Sequence, residues 1–229
     1  MESHPTLLTS RIFDGLEERD RLAWLHAATR RVLRRGEALA RQGEPANALH
    51  LVDTGFLKLL QLAPDGRQLI VRFVGAGEPF GGIVVISGGQ YPVTALAVEA
   101  TTVCQWPRET LAPLLAAFPM VRDNLMREMA DHMNDALTRV RELTTQRVGQ
   151  RLATTLVRLT RQCGRPSPHG VLIAHPLTRQ ELAELVGTTL YTVSRTLSEW
   201  QAAGILRTSR RDMLVCDLRR LEDLAQTSD

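Results

Sequence analysis

Residues 119 to 143 are the stretch that most constrains the fold. Beyond Pro119 the chain runs to Leu143 without a glycine or a second proline. A helix of roughly 25 residues would be nearly 40 Å long at 1.5 Å per residue, well beyond the mean helix length. Pro119 suits the first helical position, where its missing N–H costs nothing. Along this stretch Leu125, Met129, His132 or Met133, Ala136, Val140 and Leu143 recur every three or four residues. Arg122, Arg127, Asp131, Asp135, Arg139 and Arg141 fill much of the rest. A narrow apolar stripe with charged flanks is the pattern of a coiled-coil seam, so the expectation is a dimer helix over 119–144.

The texture on either side of that helix differs. Between Arg31 and Trp106, short apolar or alternating runs (Ala48–Val52, Phe56–Leu62, Gln68–Val74, Val93–Glu99, Thr101–Trp106) are broken by Gly, Pro and Asp. Strands at this spacing predict an antiparallel β-roll, jelly-roll-like, over 1–118. Pro64-Asp65-Gly66 predicts a hairpin between two of them. A short amphipathic helix is expected near Arg19–Leu25 and another over Glu109–Ala117. After the dimer helix, Gln146–Arg161 is amphipathic, Gly164–Gly170 reads as a loop and Val171–Ala174 as a short strand. The fold class expected is α+β, with 145–229 as a separate domain.

Composition sets limits on function. With 44% hydrophobic and 23% charged residues the chain is an ordinary globular one, and no apolar run approaches membrane-helix length. Met1–Thr9 lacks the pattern of a signal peptide, so a cytoplasmic protein with no membrane partner is expected. Cys104, Cys163 and Cys216 are too dispersed for a metal-binding cluster. Only His50 falls in the strand region and no HxH accompanies it, so catalysis is not expected. The net charge is only +3, but residues 145–229 hold 12 arginines against 8 acids. That excess is compatible with phosphate binding.

The most specific signal lies between Leu177 and Gly204. Thr178 with Glu181 forms a capping-box pattern ahead of Leu182, Ala183, Leu185 and Val186. Gly187 stands where a tight turn is needed, and Thr189 can cap a second helix with Val193, Leu197 and Trp200 inward. The outer face then carries Leu190, Tyr191, Thr192, Ser194, Arg195 and Ser198. In a helix-turn-helix this is the surface that reads base edges in the major groove. Arg195 would fit guanine O6 and N7, and the Thr189 and Thr192 hydroxyls would suit phosphate oxygens. Arg179 adds a cation at the start of the first helix. Ile205–Thr208, the turn Ser209-Arg210-Arg211-Asp212 and Met213–Cys216 predict a wing with an arginine tip. The expectation is a winged helix-turn-helix that binds double-stranded DNA.

Leu177–Ala183 and Thr192-Val193-Ser194-Arg195 resemble the helix-turn-helix signature of the Crp/Fnr family of bacterial regulators. Ile12–Leu16, Gly43-Glu44-Pro45, Gly55–Lys58 and Phe80-Gly81 resemble landmarks of that family's cyclic-nucleotide-binding-type domain. The resemblance covers essentially the whole chain. It implies a homodimer on a palindromic operator, with RNA polymerase as a further partner and a small molecule or a gas as effector. Tyr191 stands where the family usually has a glutamate. Nucleotide-binding members carry a glutamate soon after Phe-Gly and an arginine about ten residues later. Here Gly82 and Pro92-Val93 occupy those places, so no cAMP response is expected. With no cysteine before Cys104, an iron–sulfur cluster is not expected either. Gly81, Gly82, Ile83, Val93 and Thr94, with Met129, His132, Met133 and Ala136, would line the effector pocket. Haem stays open as a cofactor, with His132 and His50 as ligands, which would make the chain a sensor of NO, CO or O2. An effector-independent regulator is the other alternative.

Overall fold

The computed structural model describes residues 5–63, 66, 68–173, 177–209 and 212–226. The chain divides into two compact units, Met1–Asp135 and Ala136–Asp229, and the division falls inside the long helix.

The N-terminal unit begins with α1 (Pro5–Leu8), a 3-10 turn at Arg11–Phe13 and α2 (Glu18–His26). Eight strands follow: β1 (Thr29–Leu33), β2 (Ala38–Ala40), β3 (Ala48–Thr54), β4 (Leu57–Leu62), β5 (Gln68–Val74), β6 (Pro79–Phe80), β7 (Thr94–Ala97) and β8 (Thr101–Pro107). A short helix, α3 (Gly82–Ser87), interrupts them between β6 and β7. They form two antiparallel sheets, ordered β1-β8-β3-β6 and β2-β7-β4-β5. Leu33, Leu49, Leu51, Val103 and Trp106 of the first sheet share one core with Leu39, Leu57, Leu59, Val74, Ala95 and Ala97 of the second. The antiparallel roll expected over this region is therefore present. β4 and β5 pair from Leu57↔Val74 to Leu62↔Gln68, as the hairpin reading requires. Pro64 and Asp65 of its turn lie outside the described residues.

In this unit sequence patterning missed α1, β1, β2, β6 and α3. β1 carries Arg30 and Arg31 and pairs only with β8 at the sheet edge, where charged side chains reach solvent. α3 is a six-residue apolar run enclosed by Gly81 (φ 85°) and Gly88 (φ 74°), both left-handed. A run that short has no periodicity to separate helix from strand.

Aromatic rings dock the N-terminal helices on the roll. Trp24 of α2 meets Trp106 of β8 edge-on, with ring centroids 5.9 Å apart, and the Trp106 indole N–H donates to the Trp24 carbonyl at 2.8 Å. Two helices follow the roll, α4 (Arg108–Ala117) and the 27-residue α5 (Pro119–Thr145).

The seam of α5 needs a correction at Leu125. That side chain is buried in its own unit, in one core with Leu49 and against Gly82. Met126 takes its place on the outer face, 59% exposed. Met126, Met129, Met133, Ala136, Val140 and Leu143 then follow one another at alternating three- and four-residue steps, all exposed. Periodicity alone admits both neighbours, and packing against the roll selects Leu125 for the core.

The C-terminal unit contains α6 (Val148–Cys163), β9 (Gly164–Ser167), β10 (Gly170–Ile173), α7 (Arg179–Val186), α8 (Leu190–Ala202), β11 (Leu206–Thr208), β12 (Met213–Val215) and α9 (Leu218–Gln226). Its four strands form one antiparallel sheet, ordered β11-β12-β10-β9. Gly164–Ser167, read from sequence as loop, is thus a strand. Pro166 is tolerated because, among the described residues, β9 pairs only with β10 and lies at the sheet edge. Leu152, Leu156, Val193, Leu197, Ile205, Val215 and Leu221 are buried side chains of this unit. No helix among the described residues is long and apolar enough to cross a membrane.

Candidate nucleic-acid interface

The interface is built from local bonds first. At the start of α7 the Thr178 hydroxyl accepts from the Glu181 N–H at 3.1 Å, and a Glu181 carboxylate oxygen accepts from the Thr178 N–H at 3.0 Å. This capping box satisfies two amides that the first turn would otherwise leave open. α7 ends at Gly187, whose φ of 68° is left-handed and suits glycine. Thr189 then caps α8 by accepting from the Thr192 N–H at 3.2 Å. Leu182, Ala183 and Val186 of α7 and Val193, Leu197 and Trp200 of α8 are buried, as their spacing predicts, while Leu185, expected with them, is half-buried.

The opposite face of α8 is open. Tyr191 is 75% and Leu190 47% exposed, and Arg195 and Ser198 also face solvent. Ser194 is half-buried, and the Ser198 hydroxyl donates to its carbonyl at 2.9 Å. The Thr189 and Thr192 hydroxyls lie 3.0 Å from each other, so the two groups expected at phosphates are engaged locally. Arg195 pairs with Glu199 one turn on, at 3.7 Å. Arg179 is exposed at the first turn of α7. The wing hairpin pairs Leu206↔Val215 through Thr208↔Met213, and the Ser209 N–H donates to the Asp212 carbonyl at 2.8 Å. Arg210 and Arg211 at its tip lie outside the described residues.

Several supporting side chains gave no sequence signal, because their partners lie on other elements or beyond a helix end and follow no helical or strand spacing. The Arg151 guanidinium donates to the Val186 carbonyl at 3.1 Å and to the Gln146 carbonyl at 2.6 Å. Arg220 donates to the Ala203 carbonyl at 3.2 Å, past the end of α8. The Thr208 hydroxyl donates to the Gln201 side-chain oxygen at 3.1 Å, tying the wing to α8.

In the N-terminal unit the expected pocket residues fall into three places. Gly81, Gly82 and Ile83 open α3, while Val93 and Thr94 precede and begin β7. A Cβ on Gly82 would stand 2.9 Å from Leu125 Cδ2 and 3.1 Å from Leu49 Cδ1, so leucines fill the space a larger side chain would need. The Thr94 hydroxyl accepts from the Gln42 N–H at 3.0 Å. Met129 and Met133 are exposed on α5, and His132 between them is half-buried. His132 Nε2 lies 3.7 Å from Glu128, which also pairs with Arg11 at 3.3 Å. Burial, with the Arg72 charge second, lowers the His132 pKa to about 4. Burial raises that of Glu128. Ala136, the remaining pocket candidate, belongs to the second unit and is exposed.

His50 does not fit a haem ligand. It is buried in β3, its ring stacks on Phe80 with centroids 6.0 Å apart, and its Nε2 lies 3.4 Å from the Tyr91 hydroxyl. Burial lowers its pKa to about 4, so it is a neutral core residue.

Comparison with known proteins follows the same division. Residues 30–118 match the family model described as cyclic nucleotide-binding domain, and residues 150–224 match the Crp-like helix-turn-helix domain. The chain is 30% identical to the transcriptional activator protein FnrA of Stutzerimonas stutzeri over 190 residues, covering 82% of this chain and 76% of that one. It is 26% identical to a CRP-like cAMP-activated global transcriptional regulator of Mycobacterium tuberculosis, over 82% and 84% of the two chains. Among solved structures, FixK2 from Bradyrhizobium japonicum is similar with a TM-score of 0.78 and 28% identity, covering 88% of this chain and 99% of that one.

Proposed function

The chain belongs to the Crp/Fnr family of DNA-binding transcription regulators, and from that premise we propose that it acts as a homodimer on a palindromic operator under an effector other than cAMP. One observation carries the reading. α8 turns Leu190, Tyr191 and Arg195 to solvent while its other face is buried, which is the disposition of a helix that enters a major groove. The exposed line from Met126 to Leu143 on α5 supplies an apolar face for a second copy. Two recognition helices related by a dyad would meet half-sites about 34 Å apart. RNA polymerase is the further partner.

The relative named for cAMP does not extend that effector to this chain. Leucines crowd Gly82, and Pro92-Val93 supplies no cation for a phosphate. A buried phosphate would be left uncompensated, at a cost of several kcal/mol. Gly81, Ile83, Val93 and Thr94, with Met129, His132 and Met133, are the residues we assign to recognition of another effector. Haem is the second reading and rests on His132, a neutral imidazole beside exposed methionines. When bound, haem would supply an iron site for a diatomic gas.

Selection of binding sites from random duplex DNA tests the central reading. A palindrome should be enriched, and failure to enrich any sequence would remove it. Micromolar cAMP binding by calorimetry, with tighter DNA binding, would overturn the effector assignment. An absorption spectrum after haem titration decides the second reading. A stoichiometric Soret band that His132→Ala abolishes supports it, and the absence of a band removes it.

A further inference from the structure

The first turn of α8 offers DNA an apolar surface. Leu190 and Tyr191 are its exposed large side chains, and that turn holds no acidic residue. Polar groups on the same helix are engaged locally: Thr189 with Thr192, and Ser198 with the Ser194 carbonyl. No carboxylate stands there to accept from a cytosine amino group. In the major groove the base feature that matches an apolar side chain is the thymine methyl.

We propose that Leu190 and Tyr191 together read the 5-methyl group of a thymine in each half-site, close to the guanine read by Arg195. Arg195 is four and five residues beyond them, about 6–7.5 Å along the helix at 1.5 Å per residue. With bases about 3.4 Å apart on a strand, the T·A pair lies about two base pairs from the G·C pair. Tyr191 acts through its ring, and Leu190 closes the methyl from water on the other side. Apolar contact at one base pair and a guanidinium fork about two base pairs away give the half-site two unlike determinants. The proposal rests on the DNA-binding reading above.

The test replaces thymine by deoxyuracil, one position at a time in both halves of the selected palindrome, which removes only the methyl group. The wild-type chain should bind the uracil operator about fourfold more weakly per half-site at one position near the conserved guanine, the value of one buried methyl. Leu190→Ala combined with Tyr191→Ala should bind thymine and uracil operators equally. Both residues are exposed, so this variant should fold. Tyr191→Phe should keep the difference, and so should Arg195→Ala, though with weaker binding throughout. Equal binding of the two operators by the wild-type chain overturns the proposal while leaving DNA binding intact. A thymine preference that survives in the double variant overturns it too. If selection enriches no sequence, the DNA-binding reading falls and takes this one with it.

Discussion

Arg158 of α6 places one guanidinium nitrogen, Nη2, 2.8 and 3.0 Å from the two carboxylate oxygens of Glu142, near the end of α5. Both side chains are mostly shielded, at 10% exposure for Glu142 and 26% for Arg158. Within the C-terminal unit this bond fixes the last turns of α5 against α6. Arg151 reaches from α6 to the end of α7, so α6 holds both neighbours through arginines.

Arg158→Ala should therefore strand a buried carboxylate. The expected cost is about 2–3 kcal/mol, below the value for a fully buried pair because some solvent reaches it. Calorimetry should show the transition of the C-terminal unit falling on the order of 10 °C. Replacing both partners, Glu142→Leu with Arg158→Met, should recover most of the loss. A double replacement as unstable as the single one would count against this account.

The exposed face of α5 yields a second expectation. Met133→Glu with Val140→Glu puts like charges opposite one another across a twofold seam. Light scattering should then report a monomer, and operator affinity should fall on the order of a hundredfold or more as bivalency is lost. Because both positions are exposed in the single chain, its thermal stability should hardly change. A dimer that persists would place the self-association surface elsewhere.

Arg195→Ala should cost roughly 1–3 kcal/mol of binding and relax preference at one base pair. Gel-shift titration against operators mutated at each position measures both. A uniform loss on every sequence would mean that Arg195 contacts phosphate instead. Glu199→Gln removes the carboxylate that pairs with Arg195, and should tighten binding to all sequences most strongly at low salt.

His50 and His132 make the stability of the N-terminal unit pH-dependent. Burial is the first cause for both, and both are lowered to about 4. Between pH 6.5 and 4 the unfolded chain binds protons that the folded chain refuses. Stability is thus fully present above about 6.5 and declines as pH falls towards 4, by up to about 1.4 kcal/mol per pH unit for each histidine. Urea unfolding at a series of pH values should show this slope, and His50→Phe should reduce it. That variant should cost little at pH 7, since Nδ1 of His50 is buried without a hydrogen-bond partner among the described residues. An unchanged slope would mean that His50 takes up its proton as readily in the folded chain as in the unfolded one.

The helix-turn-helix was legible because its determinants are neighbours in the chain. Thr178 bonds Glu181 three residues on, Thr189 bonds Thr192 three residues on, and Gly187 supplies a backbone angle that other residues resist. The longer strands of the roll were legible through turn residues and alternation, but of their pairing only the β4–β5 hairpin was. β9 shows the limit. Gly164-Arg165-Pro166-Ser167 has loop chemistry, and only its place beside β10 at the sheet edge makes it a strand.

By itself the sequence determined where α7 and α8 begin, which face of α8 is apolar, and that a long uninterrupted helix follows the roll. Those features rest on bonds and periodicities spanning a few residues, which every sufficiently long stretch of chain can satisfy alone. Tertiary structure decided that Leu125 turns inward and Met126 outward, that leucines close the space at Gly82, and that Arg158 meets Glu142. Each of these depends on what another element presents at the point of contact. Helical periodicity leaves two adjacent positions nearly equivalent, and only the excluded volume of a packed neighbour chooses between them.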